Sequence, residues 1–299
     1  MTLRIGTAER DSTFLSQGHA LKTVLERDPA LAPIEVSTSA HASVENANRL
    51  EGNDIDFGFM ASNWIGRAKS GEAPFARAIA LRMVAPMNAG PLFFITRADS
   101  DLHTVTDLRG RRLVVGPEFS GMTQHARVIL GTLGMSFTDV TPVYLDFAEG
   151  ADALARGEVD AQLQCPIPNK VMTALDAKTA IRVLPYRPAD LETLLNAVPF
   201  YRHTVMRKGA LRCLEADAAQ PAVVNVLVTH ARVSADTVRR ATADIFAARE
   251  ELPRLNALFL GIGELFEPLR ADGSRALEFG NVVLHDGALT AYREIGLLG

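Results

Sequence analysis

Cysteine is nearly absent, with only Cys165 and Cys213 in 299 residues. Neither stands in a C-x-x-C or a Cys/His spacing, so the sequence excludes a zinc module. A bridge between the two is compatible with the sequence but does not follow from it. Long apolar runs are missing too, and none reaches the roughly 20 residues that a membrane-spanning helix needs. Charge of one sign is nowhere concentrated. The net charge is −4, with 31 Lys and Arg scattered among 35 Asp and Glu. There is therefore no basic stripe for nucleic acid and no polybasic patch for a membrane surface. Also missing are a G-x-S-x-G elbow, the Gly-Lys-Ser/Thr ending of a P-loop, a metal cluster and any low-complexity segment. Nothing in the pattern calls for a cofactor. No charged-then-apolar leader precedes Leu3-Arg4-Ile5-Gly6, which reads as the first strand. The chain thus reads as cytoplasmic if Met1 is its native start, or as one whose leader has been removed.

What is present is an ordinary globular composition, 47% hydrophobic and 22% charged, long enough for two lobes or one large α/β domain. One unit occurs twice. In Ser43–Met60 a short amphipathic helix stops at Gly52, and Asp54-Ile55-Asp56-Phe57 opens a buried strand. In Pro142–Ala161 a strand and loop lead to a helix that stops at Gly157, and Glu158-Val159-Asp160-Ala161 opens the next strand. The repeat predicts two similar α/β lobes, with a ligand between them at the carboxyl ends of the strands. Strands are expected at 2–7, 34–38, 55–60, 81–86, 92–96, 144–147, 161–165, 181–185 and 223–229. Helices are expected at 14–26, from a Ser43 cap to Gly52, at 124–133 and 169–177, from a Ser234 cap to Leu252, and near the carboxyl terminus.

Candidate ligand contacts come from the loops after these strands. Arg10 has the planar fork that suits a carboxylate, or it pairs with Glu9 or Asp11 inside its own loop. Ser12 and Thr13 donate to a ligand or cap the helix that follows. His41 lies between a strand end and a helix start, where it can face an anion, act as a base or remain a surface residue. Ser43 can cap its helix and leave neighbouring N–H groups aimed at the cleft, and Ser62 and Asn63 follow the strand that ends at Met60. Trp64, the single tryptophan, forms a pocket wall or packs in the core. Asn88 reads as hinge or pocket. In the second half, Ser120-Gly121-Met122-Thr123 enters a helix, and its free N–H groups and positive dipole end suit a small anion. Gln164, Cys165 and Asn169 follow the last strand of that half. Cys165 also reads as a small buried side chain. Glu118 selects an amine or hydroxyl, or is merely solvated. His125 reads as a packing or surface residue and Arg97 as structural.

Taken in order, several segments resemble a known family. They are Leu3-Arg-Ile-Gly-Thr7, Ser43-Val-Glu-Asn46, Asp54-Ile-Asp-Phe-Gly-Phe59, Arg97-Ala-Asp-Ser100, Asp107-Leu-Arg-Gly-Arg111 and Val114-Val-Gly116 with Ser120-Gly-Met-Thr123. Further along come Pro142-Val-Tyr-Leu145, Val226-Leu-Val-Thr229 and Leu284-His-Asp-Gly-Ala288 with Tyr292-Arg-Glu-Ile-Gly296. Over nearly its full length the chain resembles the TAXI-type solute receptors of TRAP transporters. The resemblance implies a two-lobed type II periplasmic-binding-protein fold, each lobe a sheet flanked by helices. It implies lobes of 1–95 plus 205–299 and of 96–204, joined by two crossings and closing on the ligand by hinge motion. It further implies a periplasmic, monomeric receptor that carries a small organic acid or amino acid to a TRAP membrane subunit. The first loop departs from the family, carrying Glu9, Arg10 and Asp11 where glycine and hydroxyl residues are usual. Beside the receptor stand two alternatives on the same fold. One is a small-molecule enzyme such as an organic-acid decarboxylase, working through His41, Glu9 or Glu118, and Arg10. The other is a ligand sensor with a separate output partner.

Overall fold

Two aspartates, one in each copy of the repeated unit, show why the chain folds as it does. The computed structural model describes residues 2–10, 12–118 and 120–299, so Met1, Asp11 and Phe119 lie outside the described residues. In the first copy, Asp56 accepts from the backbone N–H of Arg4 at 2.8 Å and from its guanidinium at 3.2 Å. The Asp56 N–H donates back to the Arg4 carbonyl at 2.9 Å. In the second copy, Asp160 accepts from the Arg112 N–H at 2.7 Å and from its guanidinium at 2.7 Å, and its own N–H donates to the Arg112 carbonyl at 2.9 Å. A buried threonine completes each arrangement. Thr229 donates to the Asp56 carbonyl at 2.6 Å and Thr96 to the Asp160 carbonyl at 2.7 Å. Each aspartate thus sets the register of a strand against its parallel neighbour, satisfying backbone groups that the start of a buried strand would leave unpaired.

The described residues divide into two units, 1–89 with 224–299 and 90–223. The first begins with β1 (Leu3–Gly6), α1 (Thr13–Leu25), β2 (Ile34–Ser37), α2 (Ala42–Glu51), β3 (Phe57–Ala61), α3 (Ser62–Ser70) and β4 (Leu81–Pro91). The chain leaves this unit within β4, between Ala89 and Gly90. The second unit holds β5 (Phe93–Arg97), β6 (Arg112–Val114), α4 (Gly121–Thr132), β7 (Thr141–Val143), α5 (Phe147–Arg156), β8 (Ala161–Gln164), α6 (Lys170–Lys178), β9 (Ile181–Leu184), α7 (Pro188–Ala197) and β10 (Tyr201–Met206). It ends within β11 (Ala218–His230), where the chain returns between Val223 and Val224. α8 (Ala235–Ala247), α9 (Leu252–Leu255), α10 (Pro268–Asp272) and α11 (Asp286–Glu294) complete the first unit.

In the first unit β1 pairs in parallel with β2 and β3, with Ile5 opposite both Val36 and Phe57. β11 runs antiparallel to β3, Leu227 opposite Phe59, and β4 pairs β11. In the second unit the strand order is β7-β6-β8-β5-β9. β6 is parallel to β7 and β8, and β5 is antiparallel to β8 and β9. Residues 218–223 of β11 pair β10 antiparallel, Thr204 opposite Gln220. The strands are apolar on both faces, as the covering helices require. Ile5, Phe57, Phe59, Val226 and Leu227 are buried in the first unit, and Phe93, Phe94, Leu113 and Leu163 in the second.

Three local readings change. Residues 144–147 are not a strand; β7 ends at Val143 and Asp146 starts α5 with a capping box, accepting from Ala148 and Glu149 while Glu149 reaches back. Residues 188–197, unassigned from sequence, form α7, with Pro188 in its first turn. The two glycine stops also differ. Gly157 takes the left-handed conformation at φ 74°, whereas Gly52, at φ −73°, closes α2 with ordinary helical geometry.

Candidate functional site

In the first unit, polar side chains collect at the carboxyl ends of β1 and β3. Asn46, on the inner face of α2 and fully buried, donates to the Thr7 carbonyl at 2.7 Å and the Phe59 carbonyl at 2.9 Å, tying those two strand ends together. Ser39 donates to the Thr7 carbonyl at 2.8 Å. Ser43 does not cap α2. Its buried hydroxyl accepts from the Ala61 N–H at 3.0 Å instead, because the helix starts two residues earlier, with His41 as its N-cap residue. The His41 ring makes no cap bond and the residue is exposed. The Ala40 and His41 N–H groups that precede the helix donate to the Glu45 carboxylate at 2.8 and 3.2 Å. That carboxylate supplies the negative charge the helix end attracts.

Ser12 caps α1, accepting from Leu15 N–H at 3.1 Å. Thr13 and Arg10 are exposed, and among the described residues Arg10 has no ion-pair partner. Ser62, buried at the start of α3, accepts from the Val224 N–H at 3.1 Å. Asn63 is half-buried, and its Oδ1 is enclosed with no hydrogen-bond partner among the described residues. Trp64 packs edge-on against Phe75, with ring centroids 6.4 Å apart, and the Arg67 guanidinium sits 5.0 Å from its ring. The packing alternative therefore accounts for its contacts.

In the second unit, Gly116 turns with φ 91°, and a Cβ there would come within 2.7 Å of the Met122 Cβ. The position requires glycine, and the turn delivers the chain to α4. Ser120 caps that helix, accepting from Thr123 N–H at 3.2 Å. The Thr123 hydroxyl is buried and donates to the Pro117 carbonyl at 2.8 Å. Both hydroxyls are thus spent inside the turn. The N–H groups of Gly121 and Met122 have no partner among the described residues, which is the donor pair a helix start offers an anion. A cavity of about 190 Å³ adjoins the turn, lined by Glu118, Thr123, Gln124, Arg127 and Tyr144. Gln164, at the end of β8, is fully buried, and both its amide atoms lack partners among the described residues. Asn169 caps α6, accepting from Met172 N–H at 2.8 Å and donating to the Pro166 carbonyl at 2.6 Å.

The sequence matches the NMT1-like family over residues 5–296. The chain belongs to that family. Among solved structures, it is similar to the periplasmic aliphatic sulphonate binding protein SsuA from Escherichia coli, 19% identical at a TM-score of 0.52, covering 93% of this chain and 84% of that one. It is likewise similar to a putative sulfonate ABC transporter's periplasmic sulfonate-binding protein from Methylobacillus flagellatus, 12% identical at 0.62, covering 100% and 96%. A third is XAC2383 from Xanthomonas citri bound to ATP, 12% identical at 0.56, covering 98% and 99%. The fold is the two-lobed α/β fold of periplasmic binding proteins.

Within this NMT1-like chain both cysteines are free thiols. Cys165 keeps some surface as a residue, but its thiol is desolvated and its pKa is pushed up to about 12. Burial, aided by the Asp176 carboxylate, raises Cys213 to about 11. Neither is an activated nucleophile at neutral pH. His125 is buried with its Nδ1 2.8 Å from the Tyr201 hydroxyl, and burial lowers its pKa to about 4. Among the described residues no group of three His, Cys, Asp or Glu side chains is placed to hold a metal, and no helix is long and apolar enough to cross a membrane.

Sequence reasoning missed Gln17, Asn46 and Asn225 and left Asn88 between two roles. Gln17 donates to Asn88 Oδ1 at 3.1 Å and Asn225 donates to the same atom at 3.3 Å. A signal existed for two of them. Gln17 is an amide on the apolar stripe of Phe14, Leu21 and Val24, and Asn225 interrupts a run of β-branched residues.

Proposed function

We propose that this protein is a periplasmic solute receptor that binds a small organic anion and passes it to a membrane transporter. Family membership across residues 5–296 carries the reading, and the binding-protein fold supports it. Candidate contacts in the first unit are Arg10, His41 and Asn63. In the second unit they are the Gly121 and Met122 N–H groups, with Gln164 and Asn169 beyond β8. These are cationic or hydrogen-bonding groups suited to an anionic head. Two lines of support bear on the nature of that head. The TAXI resemblance favours a carboxylate delivered to a TRAP-type subunit. The names of the E. coli and M. flagellatus neighbours favour a sulfonate, the latter delivered to an ABC transporter.

Thermal unfolding across matched carboxylates, sulfonates and amino acids tests the reading, with hits taken to calorimetry and mass spectrometry. A true ligand at about 100 Kd stabilises by roughly 2.7 kcal/mol and is recovered unchanged. Stabilisation by no anion, or chemical conversion of the one that binds, would remove the receptor reading.

A further inference from the structure

The first unit encloses a hydrogen-bond acceptor that has no partner among the described residues. Gln17 lies on the inner face of α1 and is fully buried. Its Nε2 and the Nδ2 of Asn225 both donate to Asn88 Oδ1, at 3.1 and 3.3 Å. The three amides are oriented as a set, since turning Gln17 or Asn225 alone would set oxygen against the Asn88 oxygen. Gln17 Oε1 is then buried without a partner among the described residues, and Asn63 Oδ1 is in the same state. Asn225 stands opposite Ala61 in the β11–β3 ladder, so Asn225 and Asn63 meet the same strand end. Both residues are half-buried, whereas Gln17 beneath them is fully buried. A buried acceptor with nothing to accept is unfavourable, and native structures pair such atoms with water or ligand. Both unused atoms are acceptors, so what completes them is an O–H or an N–H, not a bare carboxylate or sulfonate oxygen.

We propose that Gln17 is the specificity-determining residue of the solute site, its Oε1 accepting a hydrogen bond from a hydroxyl or amino group carried by the bound anion. The proposal rests on the receptor reading and narrows its ligand class to hydroxy- or amino-substituted small organic anions. An unsubstituted homologue of the same length leaves the acceptor unpaired and binds more weakly.

The test is calorimetry with matched pairs: lactate against propionate, glycerate against lactate, and both 2-hydroxyethanesulfonate and taurine against ethanesulfonate. In the wild type, the donor-bearing member of a pair that binds is expected to bind about tenfold or more tightly. In Gln17→Met, close in shape, that ratio should fall toward one, with the unsubstituted member's affinity unchanged. Equal affinities within every pair in the wild type would overturn the proposal while leaving the receptor reading intact. So would a Gln17→Met variant that weakens both members alike. Binding of none of these anions would remove the receptor reading, and this inference with it. Should Gln17→Met fail to fold, judged by circular dichroism, the wild-type ratios decide alone.

Discussion

Acid should weaken this protein through His125. The ring is 6% exposed, packs against Phe200 and Tyr201, and has Nδ1 2.8 Å from the Tyr201 hydroxyl. Burial holds its folded pKa at about 4, below the ordinary 6.5. The unfolded chain therefore takes up the proton first as pH falls. Stability from this group is full above pH 6.5, drains away between 6.5 and 4, and levels off below. Linkage puts the loss at about 2 kcal/mol by pH 5 and about 3 kcal/mol by pH 4, relative to neutral pH. That is a large share of the roughly 5–15 kcal/mol that holds a typical domain folded.

The assay is urea unfolding of the wild type and His125→Gln at pH 7.5, 6, 5 and 4. Glutamine keeps a hydrogen-bonding group for Tyr201 but does not titrate. Tyr201 itself stays protonated throughout, because burial raises its pKa strongly. His230 and His285, also lowered by burial, are present in both proteins and cancel in the comparison. At pH 7.5 the variant should be the less stable, having lost a fitted ring. That deficit should shrink by about 3 kcal/mol on going to pH 4. Parallel curves for the two proteins would refute the reasoning, and so would a deficit that grows in acid.

Three substitutions probe a strand end and two glycine turns. Asn46→Ala should cost about 1–3 kcal/mol in urea unfolding, because the Phe59 carbonyl loses the buried Asn46 donor while the Thr7 carbonyl keeps Ser39; a loss under about 1 kcal/mol would show that water replaces the amide. Gly280→Ala should be among the most damaging single changes, since φ is 54° and a Cβ would fall 2.2 Å from the Gly66 Cα. Gly110→Ala shares the positive φ, at 76°, but meets nothing within 4 Å, so it should cost only backbone strain of about 1 kcal/mol. Thermal midpoints that fail to separate these two variants would contradict the packing described.

The repeated strand frame was legible because its signals are local. Asp-Ile-Asp-Phe and Glu-Val-Asp-Ala mark strand starts, and Gly52 and Gly157 mark the helix ends before them. The α5 start was legible in principle, since Asp146 and Glu149 have capping-box spacing, but the strand expected at 144–147 runs across it. Ser43 shows a different limit. A serine at a helix start normally caps, and only the approach of Ala61, distant in sequence, turns its hydroxyl elsewhere. Gln17, Asn88 and Asn225 come from three separate segments, and their shared hydrogen bonds exist only once α1, β4 and β11 are packed. Ser120-Gly121-Met122-Thr123 reads as a loop ahead of a helix at 124, whereas α4 starts at Gly121 with Ser120 as its cap. Which groups in that turn stay unspent depended on where the Thr123 hydroxyl went.

The two copies divide labour between residues that repeat and residues that do not. Arg4, Asp56 and Thr229 have counterparts in Arg112, Asp160 and Thr96, with matching bonds. Groups that recur in the same geometry on both frames answer a need both frames share, the pairing of backbone at a buried strand start. They carry no information about a ligand. The polar groups outside that frame differ between the units. The first has the Gln17–Asn88–Asn225 amides and Asn46 bridging two strand ends. The second has a hydroxyl-capped helix entry and Gln164. Buried amides destabilise a core unless something pairs with them. Asn46 Nδ2 donates to two strand-end carbonyls, so the fold explains its placement although its Oδ1 too is unpaired among the described residues. Gln17 Oε1 and the Gln164 amide find none among the described residues, and the frame does not need them. On the receptor reading, the unpaired amides outside the repeat are where a change of side chain is expected to alter which solute is held while leaving the fold in place.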